Sequence, residues 1–320
     1  MTWIVTGGAG YIGAHVVHLL RERHEVVVFD DLSAGRRERL PEDVPFVRGS
    51  VTDRDALDRL FERYPPSGVI HLAARKVTSD SVHQPELYAV VNVTGLENVV
   101  AAMRQAGVQR LLFASSAAVY GDSGSAPVHE DHPLLPVNPY GDTKRRAEEV
   151  IDGAGAGLRA LTFRQFNVVG AGTHPWAVDL TSTCLLPAAF QALTGGPELV
   201  VRGRYFGTPD GTAVRDYVHV TDVAEAYVRG VDQLSRPSAD RHRVVNLGSG
   251  TGTSVTQLVE LIGAVTGRKV PHHDGQERKG DAAEVIAAVD RARAMGFGCA
   301  RSLHDAVASA WASWQRYVSR

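Results

Sequence analysis

The sequence predicts an α/β fold of the doubly wound class, in which helices cover both faces of a mostly parallel sheet. Two observations predict it. Apolar runs of strand length alternate with helical periodicity through the first half of the chain, and a glycine-rich turn separates the first run from the first helix. Strands that alternate with helices form parallel sheets through right-handed crossovers. At 320 residues and 34.4 kDa, the chain can also form a second, smaller α/β domain.

The first half of the chain supplies most of the predicted sheet. Its apolar runs predict strands at residues 3–5, 25–29, 45–47, 68–73, 111–114 and 161–166. Helical periodicity predicts helices at residues 14–23, 53–63 and 85–106, the last ending before a glycine. We therefore expect the first domain to cover residues 1–166.

The second half differs because Gly, Pro and Thr accumulate between residues 170 and 183. Beyond this stretch the patterns predict short strands at residues 199–201 and 243–247, and helices at 184–193, 220–231, 254–265 and 303–318. The last helix carries Trp311, Trp314 and Tyr317 for packing. We expect a second domain over residues 167–320, with segments that return to the first.

The turn at residues 6–13 has the sequence Thr-Gly-Gly-Ala-Gly-Tyr-Ile-Gly. Its glycines at 7, 10 and 13 allow a sharp turn, close approach of backbone N–H groups to a pyrophosphate, and tight packing of the helix on the sheet. The helix N-terminus adds partial positive charge. The second strand ends in Asp30 and Asp31, where an acid would meet an adenosine ribose. This context favours a dinucleotide site over an ordinary tight turn.

Composition excludes several classes of function. The formal net charge of -2 and the pI near 6.7 lack the basic excess that nucleic-acid binding requires. Cys184 and Cys299 lie far apart, so no disulfide framework is expected. The scattered histidines suggest no metal site. The chain starts directly with a strand and has no apolar run of membrane-spanning length, so we expect a cytoplasmic protein without membrane contact.

Three residues with acid–base potential fall where the ligand crevice is expected: Ser116 at the end of the strand at 111–114, Tyr140 after Pro139, and Lys144 four residues later. The spacing from Tyr140 to Lys144 puts both on one face of a helix. A free tyrosine has a pKa of about 10, so a neighbouring ammonium must lower it for the phenol to act as a base near neutral pH. Ser116 would share the hydrogen bond to a substrate hydroxyl. Such a pair also occurs on plain helix surfaces, but the glycine turn favours the catalytic interpretation.

These motifs resemble the extended short-chain dehydrogenase/reductases, and further segments narrow the resemblance to the UDP-glucose 4-epimerase family over nearly the whole chain. The segments are His-Leu-Ala-Ala-Arg-Lys at 71–76, Asn-Val-Thr-Gly at 92–95, Ser-Ser-Ala-Ala-Val-Tyr-Gly at 115–121, Asn-Pro-Tyr-Gly at 138–141, Phe-Asn-Val-Val-Gly at 166–170, Thr-Pro-Asp-Gly at 208–211 and Val-Arg-Asp-Tyr-Val-His at 214–219.

The resemblance implies a Rossmann domain with tightly bound NAD, and inversion of C4 of a UDP-hexose by transient oxidation. Tyr140 would remove the hydroxyl proton, and Lys144 would bind the nicotinamide ribose and tune Tyr140. Asp30 would bind the adenosine ribose and favour NAD over NADP. Family cofactor contacts match these positions: Gly7, Gly10, Tyr11, Ile12, Gly13, Asp30, Asp31, Leu32, Ser33, Gly35, Ser50, Val51, Leu72, Ala73, Ala74, Lys76, Asn92, Ser115, Tyr140, Lys144 and Phe166.

The resemblance also implies a UDP-sugar site. Asn167, Arg215 and Arg278 match diphosphate-binding positions, where arginine forks give bidentate contacts. Asp281 matches the carboxylate near the uridine ribose. The full set of matching positions is Lys76, Ser116, Ala117, Ala118, Tyr140, Asn167, Leu185, Val201, Arg202, Arg215, Arg278, Asp281 and Val285.

Some positions depart from the family pattern. Ser50 replaces an acid near the adenine, and Gln165 replaces a tyrosine. Residues 183–185, Thr-Cys-Leu, replace paired asparagines, and Arg202 stands where an aromatic side chain is usual. Val285 replaces a bulky tyrosine near the hexose, which leads to the hypothesis that a 2-acetamido sugar is accommodated.

Three alternatives remain. A 4-epimerase of a UDP-uronic acid or of a specialised-metabolite sugar nucleotide would differ only in the hexose pocket. A sugar-nucleotide 4,6-dehydratase is less favoured, because Ala117 and Ala118 replace the Asp-Glu pair of that group. A non-catalytic NAD-binding regulator would not need Ser116, Tyr140 and Lys144. The resemblance further suggests a homodimer through helices beginning near Pro85 and Tyr140.

Overall fold

The computed structural model describes residues 1–124, 127–174, 176–236, 241–276 and 282–319. The described chain forms two compact units. Unit 1 contains Met1–Val119, Asn138–Arg164 and Ala224–Val245, and unit 2 contains Tyr120–Val137, Gln165–Val223 and Asn246–Arg320. The domain boundary at residue 166 stays a prediction.

In the described residues the strands are β1 (Thr2–Thr6), β2 (Glu25–Asp30), β3 (Phe46–Arg48), β4 (Gly68–His71), β5 (Arg110–Ser116), β6 (Arg159–Gln165), β7 (Asn167–Val169), β8 (Leu199–Arg202), β9 (Val214–His219), β10 (His242–Leu247), β11 (Gly252–Ser254), β12 (His272–Gly275) and β13 (Glu284–Val285). The helices are α1 (Tyr11–Leu20), α2 (Arg54–Arg63), α3 (Thr78–His83), α4 (Pro85–Ala89), α5 (Gly95–Gln105), α6 (Pro139–Gly153), α7 (Leu185–Leu193), α8 (Val220–Ser235), α9 (Val255–Thr266), α10 (Asp290–Ala294) and α11 (Leu303–Val318).

A seven-stranded sheet in the order β10-β6-β5-β4-β1-β2-β3 forms the frame of unit 1. The pairs from β3 through β5 run parallel. The predicted doubly wound fold is therefore confirmed. The order changes direction at β1, whose neighbours are β2 and β4, and the glycine turn lies directly after β1. In such sheets ligands bind at the carboxyl ends of the strands next to this point.

Helices cover both faces of this sheet. On one face, apolar residues of α2, α5 and α6 pack on the strands in one buried cluster that includes Leu60, Val99 and Ile151. On the other face, α8 packs closely, because a Cβ at Gly230 would lie 2.6 Å from Leu112 Cδ2. The ring centroids of Phe163 and Tyr227 are 5.0 Å apart there.

The helix predicted at residues 85–106 is interrupted by a π-helical segment. It consists of α4, the π-helical turn Val90–Thr94, and α5. Apolar periodicity cannot reveal this turn, because one of its buried side chains, Asn92, is polar. π-Helical turns are frequent at functional sites.

Unit 2 contains two small sheets and a separate core. Strand β9 pairs with β7, β11 and β13, and β8 pairs with β12. Helices α7, α9 and α11 bury a second apolar cluster. As the sequence predicted, Trp311 and Trp314 of α11 pack there, with ring centroids 5.2 and 5.9 Å from that of Phe190. In the described parts of the chain, we find no helix long and apolar enough to cross a membrane.

Candidate functional site

The turn after β1 forms a close backbone cradle. Gly7 has a φ of +71°, and a Cβ there would lie 2.5 Å from the Ala73 backbone nitrogen. A Cβ at Gly13 would lie 2.2 Å from the Gly7 carbonyl oxygen. Helix α1 begins at Tyr11 with Gly10 as its N-cap residue, so the first N–H groups of the helix are available to a ligand. Positions 7 and 13 of this turn therefore admit only glycine, and a tight turn at a helix N-terminus fits a pyrophosphate.

Asp30 closes the end of β2 beside this cradle. Its Oδ2 accepts a hydrogen bond from the Ala9 amide at 2.9 Å, and its Oδ1 accepts one from the Leu32 amide at 2.8 Å. Burial raises the pKa of this carboxyl, and the two backbone N–H groups lower it. Leu32 has a left-handed φ of 62°, unusual for a non-glycine residue, and such strain is concentrated at functional sites.

Two further contacts connect the cradle to Tyr140 within unit 1. Lys76 lies five residues after the end of β4, and its Nζ is 5.8 Å from the ring centroid of Tyr11. The positive charge of Lys76 also lowers the pKa of Tyr140. The predicted cofactor residue Lys76 therefore lies between Tyr11 of the glycine turn and the predicted catalytic tyrosine.

Local folding of α6 presents Tyr140 on its first turn. Asn138 caps the helix, because its Oδ1 accepts a hydrogen bond from the Gly141 amide at 2.9 Å, and Pro139 occupies the first helical position. The Ser116 and Tyr140 side chains form a hydrogen bond. Thr143 Oγ1 donates to the Tyr140 carbonyl at 2.7 Å. The predicted Ser116 and Tyr140 pair is thus assembled at the end of β5.

The electrostatics of Tyr140 differ from the sequence expectation. Burial raises the pKa of Tyr140, and the opposing contributions come from the Ser116 hydrogen bond and the charge of Lys76. Lys144 was expected to lower this pKa, but its Nζ instead donates to the Ala114 carbonyl at 2.7 Å and lies 5.0 Å from the Phe113 ring centroid. The difference arises because a buried ammonium binds the nearest acceptor, which here is a backbone carbonyl.

Asn92 supports the cofactor segment through the backbone. Its Oδ1 accepts a hydrogen bond from the Arg75 amide at 2.8 Å, and its Nδ2 donates to the Arg75 carbonyl and to Thr143 Oγ1, both at 3.0 Å. The side chain is 2% exposed. These contacts use both amide donors, so Asn92 positions the backbone beside Lys76 and ties it to α6. The sequence had placed Asn92 in the lining of the cofactor pocket.

Three predicted substrate residues of unit 2 lie on β9 or on strands paired with it. Asn167 lies opposite Tyr217 in the β7–β9 ladder, and their side chains form a hydrogen bond. Burial raises the pKa of Tyr217 to about 12, although the positive charge of Arg215 and the hydrogen bond to Asn167 both lower it. Val285 lies opposite Arg215 in the β13–β9 ladder. Sequence reasoning missed Tyr217, although its position two residues after Arg215 places both on one face of β9.

The remaining predicted positions are distributed as follows. The Ser50 hydroxyl lies 2.8 Å from Thr52 Oγ1, so it makes a local contact after β3. Ala117 is buried in a short 3₁₀ turn, Ala117–Val119, directly after Ser116. In β8, Val201 is buried and Arg202 is exposed. Arg278 and Asp281 lie outside the described residues. Ile12 lies in α1, Ser115 in β5, Ala118 in the Ala117–Val119 turn and Leu185 in α7. The other predicted positions lie in loops: Asp31, Ser33 and Gly35 after β2, Val51 after β3, Leu72 and Ala74 after β4, and Phe166 between β6 and β7.

Comparison with known proteins gives the same family by two routes. The family model described as the NAD dependent epimerase/dehydratase family matches residues 3–248. A UDP-glucose 4-epimerase of Azospirillum brasilense is 39% identical over 99% of this chain and 92% of its own length.

Two solved structures cover nearly the whole fold. The UDP-glucose 4-epimerase from Stenotrophomonas maltophila, with bound NAD and formylated UDP-arabinopyranose, has 35% identity and a TM-score of 0.92, covering 100% of this chain and 99% of that one. The UDP-glucose 4-epimerase from Brucella ovis in complex with NAD has 37% identity and a TM-score of 0.90, covering 97% of both chains. The chain therefore belongs to the NAD-dependent epimerase/dehydratase family and, within it, to the family of UDP-glucose 4-epimerases.

Proposed function

We propose that this protein inverts the configuration at C4 of a UDP-hexose, with UDP-glucose and UDP-galactose as the substrate pair. The observation that carries the proposal is the arrangement in unit 1, where the Ser116–Tyr140 hydrogen bond lies within the electrostatic influence of Lys76 and Lys76 lies over Tyr11 of the glycine turn. An acid–base group and a dinucleotide cradle are thus placed together, as an alcohol oxidation requires.

NAD fits the residues of this cradle. The N–H groups at the start of α1 would hold its pyrophosphate. Gly7 and Gly13 keep the turn tight enough for this approach, because a Cβ at either position would overlap backbone atoms. Asp30 would hold the adenosine ribose, and its negative charge would repel the 2′-phosphate of NADP. Of the arginines that follow, Arg37 is directed to carbonyl groups, donating to Leu40 at 3.2 Å and to Pro41 at 3.3 Å. When bound, NAD supplies the hydride acceptor and donor for C4.

The chain's own residues supply the proton transfer. Tyr140, as the phenolate, takes the proton of the C4 hydroxyl and later returns it to the C4 oxygen. Ser116 donates a hydrogen bond that stabilises the phenolate before this transfer, and it holds the C4 oxygen while Tyr140 is the neutral phenol. Lys76 adds positive charge on the phenolate side, because its charge lowers the pKa of Tyr140. The 4,6-dehydratase alternative is disfavoured because Ala117 and Ala118 carry no acid or base.

The residues around Tyr217 would bind the nucleotide part of the substrate. Arg215 offers a planar fork for a diphosphate, and Asn167 offers an amide next to it in the adjacent strand. Helix α7 begins at Leu185, and its N-terminal N–H groups carry partial positive charge. We propose the same role for Arg278 and, on the uridine ribose, for Asp281.

A panel of sugar nucleotides tests the function directly. We expect the purified protein to interconvert UDP-glucose and UDP-galactose without added NAD, because tightly held cofactor is regenerated in each turnover. The configuration at C4 is followed by proton NMR. The same panel contains N-acetylated hexosamines, UDP-uronic acids and deoxy sugars. Inversion of a uronic acid alone would favour the alternative substrate, and failure to invert any member would contradict the proposal.

Val285 leads to a more specific proposal, that the hexose pocket also accepts a 2-acetamido sugar. Its side chain is small, and its strand is paired with β9 beside Arg215. We expect Val285→Tyr to lower turnover of UDP-N-acetylglucosamine about tenfold or more while turnover of UDP-galactose is retained, because the ring fills the added space. Val285→Thr, nearly equal in volume, serves as the control. Equal effects on both substrates would contradict the hypothesis.

We also propose that the protein is a cytoplasmic homodimer. A shallow hollow of about 350 Å³ on unit 1 is lined by Val100, Ala101 and Val150 with three polar neighbours, and it lies on α5 and α6. These are the helices through which the resemblance suggests dimerisation, and burial of valines in the hollow would favour association. The molar mass in solution, measured by light scattering, tests this proposal.

A further inference from the structure

A buried ion pair links α6 to β6, one helical turn beyond Lys144. Arg164 donates to Glu148 through Nε, at 3.0 Å to Oε1, and through Nη2, at 2.6 Å to Oε2. Each side chain is only 5% exposed. Buried ion pairs of this kind add little net stability compared with apolar residues of similar volume, so their presence needs another explanation.

The Glu148 carboxylate also contacts the strand that carries Ser116. Ser115 Oγ donates to Glu148 Oε1 at 2.5 Å, and Ser115 immediately precedes Ser116 at the end of β5. Lys144 lies four residues before Glu148, so both side chains lie on one face of α6. Glu148 therefore contacts Ser115, the residue before Ser116, and lies one helical turn after Lys144.

Lys144 is enclosed by groups on several elements. From β4 it faces His71, whose pKa is lowered to about 3 by burial and by the charge of Lys144, so that this imidazole is neutral. From β5 it faces the Phe113 ring and the Ala114 carbonyl. On its own helix, Tyr140 lies one turn before it, and burial raises the pKa of this phenol.

The remaining charges near Lys144 are those of the ion pair. Burial lowers the pKa of Lys144 to about 8, and the negative charge of Glu148 opposes this effect. If Glu148 were neutral, Arg164 would keep its positive charge in the same core without this carboxylate. Both the lost attraction and the uncompensated positive charge would favour loss of the Lys144 proton.

We propose that Glu148 is a positioning residue for this site, which keeps Lys144 cationic at neutral pH and fixes the end of β5 through Ser115. In this role the Glu148 carboxylate is the counter-charge of Lys144. Arg164 holds the carboxylate in place and satisfies the oxygen lone pairs that Ser115 leaves free.

Lysine NMR tests the charge directly, because the chain contains only four lysines, Lys76, Lys144, Lys269 and Lys279. The holoenzyme is labelled with ¹³C at lysine Cε, and Lys144→Met identifies the signal of interest. We expect Glu148→Gln, which keeps the shape but replaces one acceptor oxygen with an NH2 group, to lower the pKa of Lys144 by about one unit. An unchanged pKa would overturn the proposal.

Glu149→Gln is the matched control. Glu149 is the next residue, carries the same charge, and has a side chain that is 62% exposed and paired with Arg145 on the surface. Its neutralisation should leave the Lys144 titration unchanged, because solvent screens an exposed charge. A shift as large as that of Glu148→Gln would indicate a general charge effect and would also overturn the proposal.

If Glu148→Gln does not fold, the double variant Glu148→Gln/Arg164→Gln removes the arginine charge as well, and we expect the same direction of shift. A kinetic measurement, which rests on the proposed function, adds a second readout. The alkaline limb of kcat should move to lower pH in Glu148→Gln, and Ser115→Ala should lower kcat without moving the limb. A Lys144 shift in a protein that turns over no sugar nucleotide would support the positioning role and contradict the proposed function.

Discussion

Replacing Tyr140 by phenylalanine should lower kcat at least about a hundredfold, because an acid–base group of the reaction is lost. The change keeps the aromatic ring and the first turn of α6, so the fold and the bound NAD should be unaffected. Initial rates with UDP-galactose and the NAD content of the purified protein are the measurements. Most of the activity remaining in this variant would contradict the role of Tyr140.

The control for this change is Tyr205→Phe, at a tyrosine that is 83% exposed, for which full activity is expected. The pH profile gives a second check. Burial raises the pKa of Tyr140, and the base works only when deprotonated, so kcat should rise with pH through this pKa. Lys76→Met removes a charge that lowers the pKa and should move this rising limb to higher pH.

Gly13→Ala should weaken the binding of NAD. The added methyl group would lie 2.2 Å from the Gly7 carbonyl oxygen and 2.7 Å from Gly8 Cα, and both are backbone atoms. The turn must therefore shift, at a cost of about 1–3 kcal/mol for overpacking. Because about 1.4 kcal/mol corresponds to a tenfold change in affinity, we expect the Kd for NAD to rise about tenfold or more.

The matched control is Gly153→Ala, because an added Cβ at Gly153 would have no heavy-atom neighbour within 4 Å among the described residues. Both variants are assayed for bound dinucleotide after gel filtration and for thermal unfolding. Unchanged NAD content in Gly13→Ala would show that the turn does not form the pyrophosphate cradle.

Much of this fold could be predicted from local sequence signals. The alternation of strands and helices, the glycine turn and the spacing of Tyr140 and Lys144 are all short-range patterns, and the predicted fold class is confirmed. The π-helical turn around Asn92 could not be predicted from local periodicity, because the Asn92 side chain in it bonds to Arg75 and Thr143, 17 and 51 residues away.

Electrostatics were the least predictable part of the site. The sequence placed an ammonium next to Tyr140, but only the structure shows that Lys76 lowers the pKa of that phenol, from a segment after β4. Likewise, Tyr217 was missed because its hydrogen bond to Asn167 depends on pairing between strands distant in sequence. Such pairings depend on the register of the folded sheets and leave no mark in a local pattern.

The return of α8 to unit 1 has a consequence for synthesis of the protein. The stretch Ala224–Val245 completes this unit, with Tyr227 against Phe163 and Gly230 against Leu112. A nascent chain that has emerged only to β6 therefore still exposes one side of its central strands to water. Completion must wait for roughly eighty more residues, about 4–16 s of translation at 5–20 residues per second, during which exposed apolar surface favours aggregation or chaperone binding.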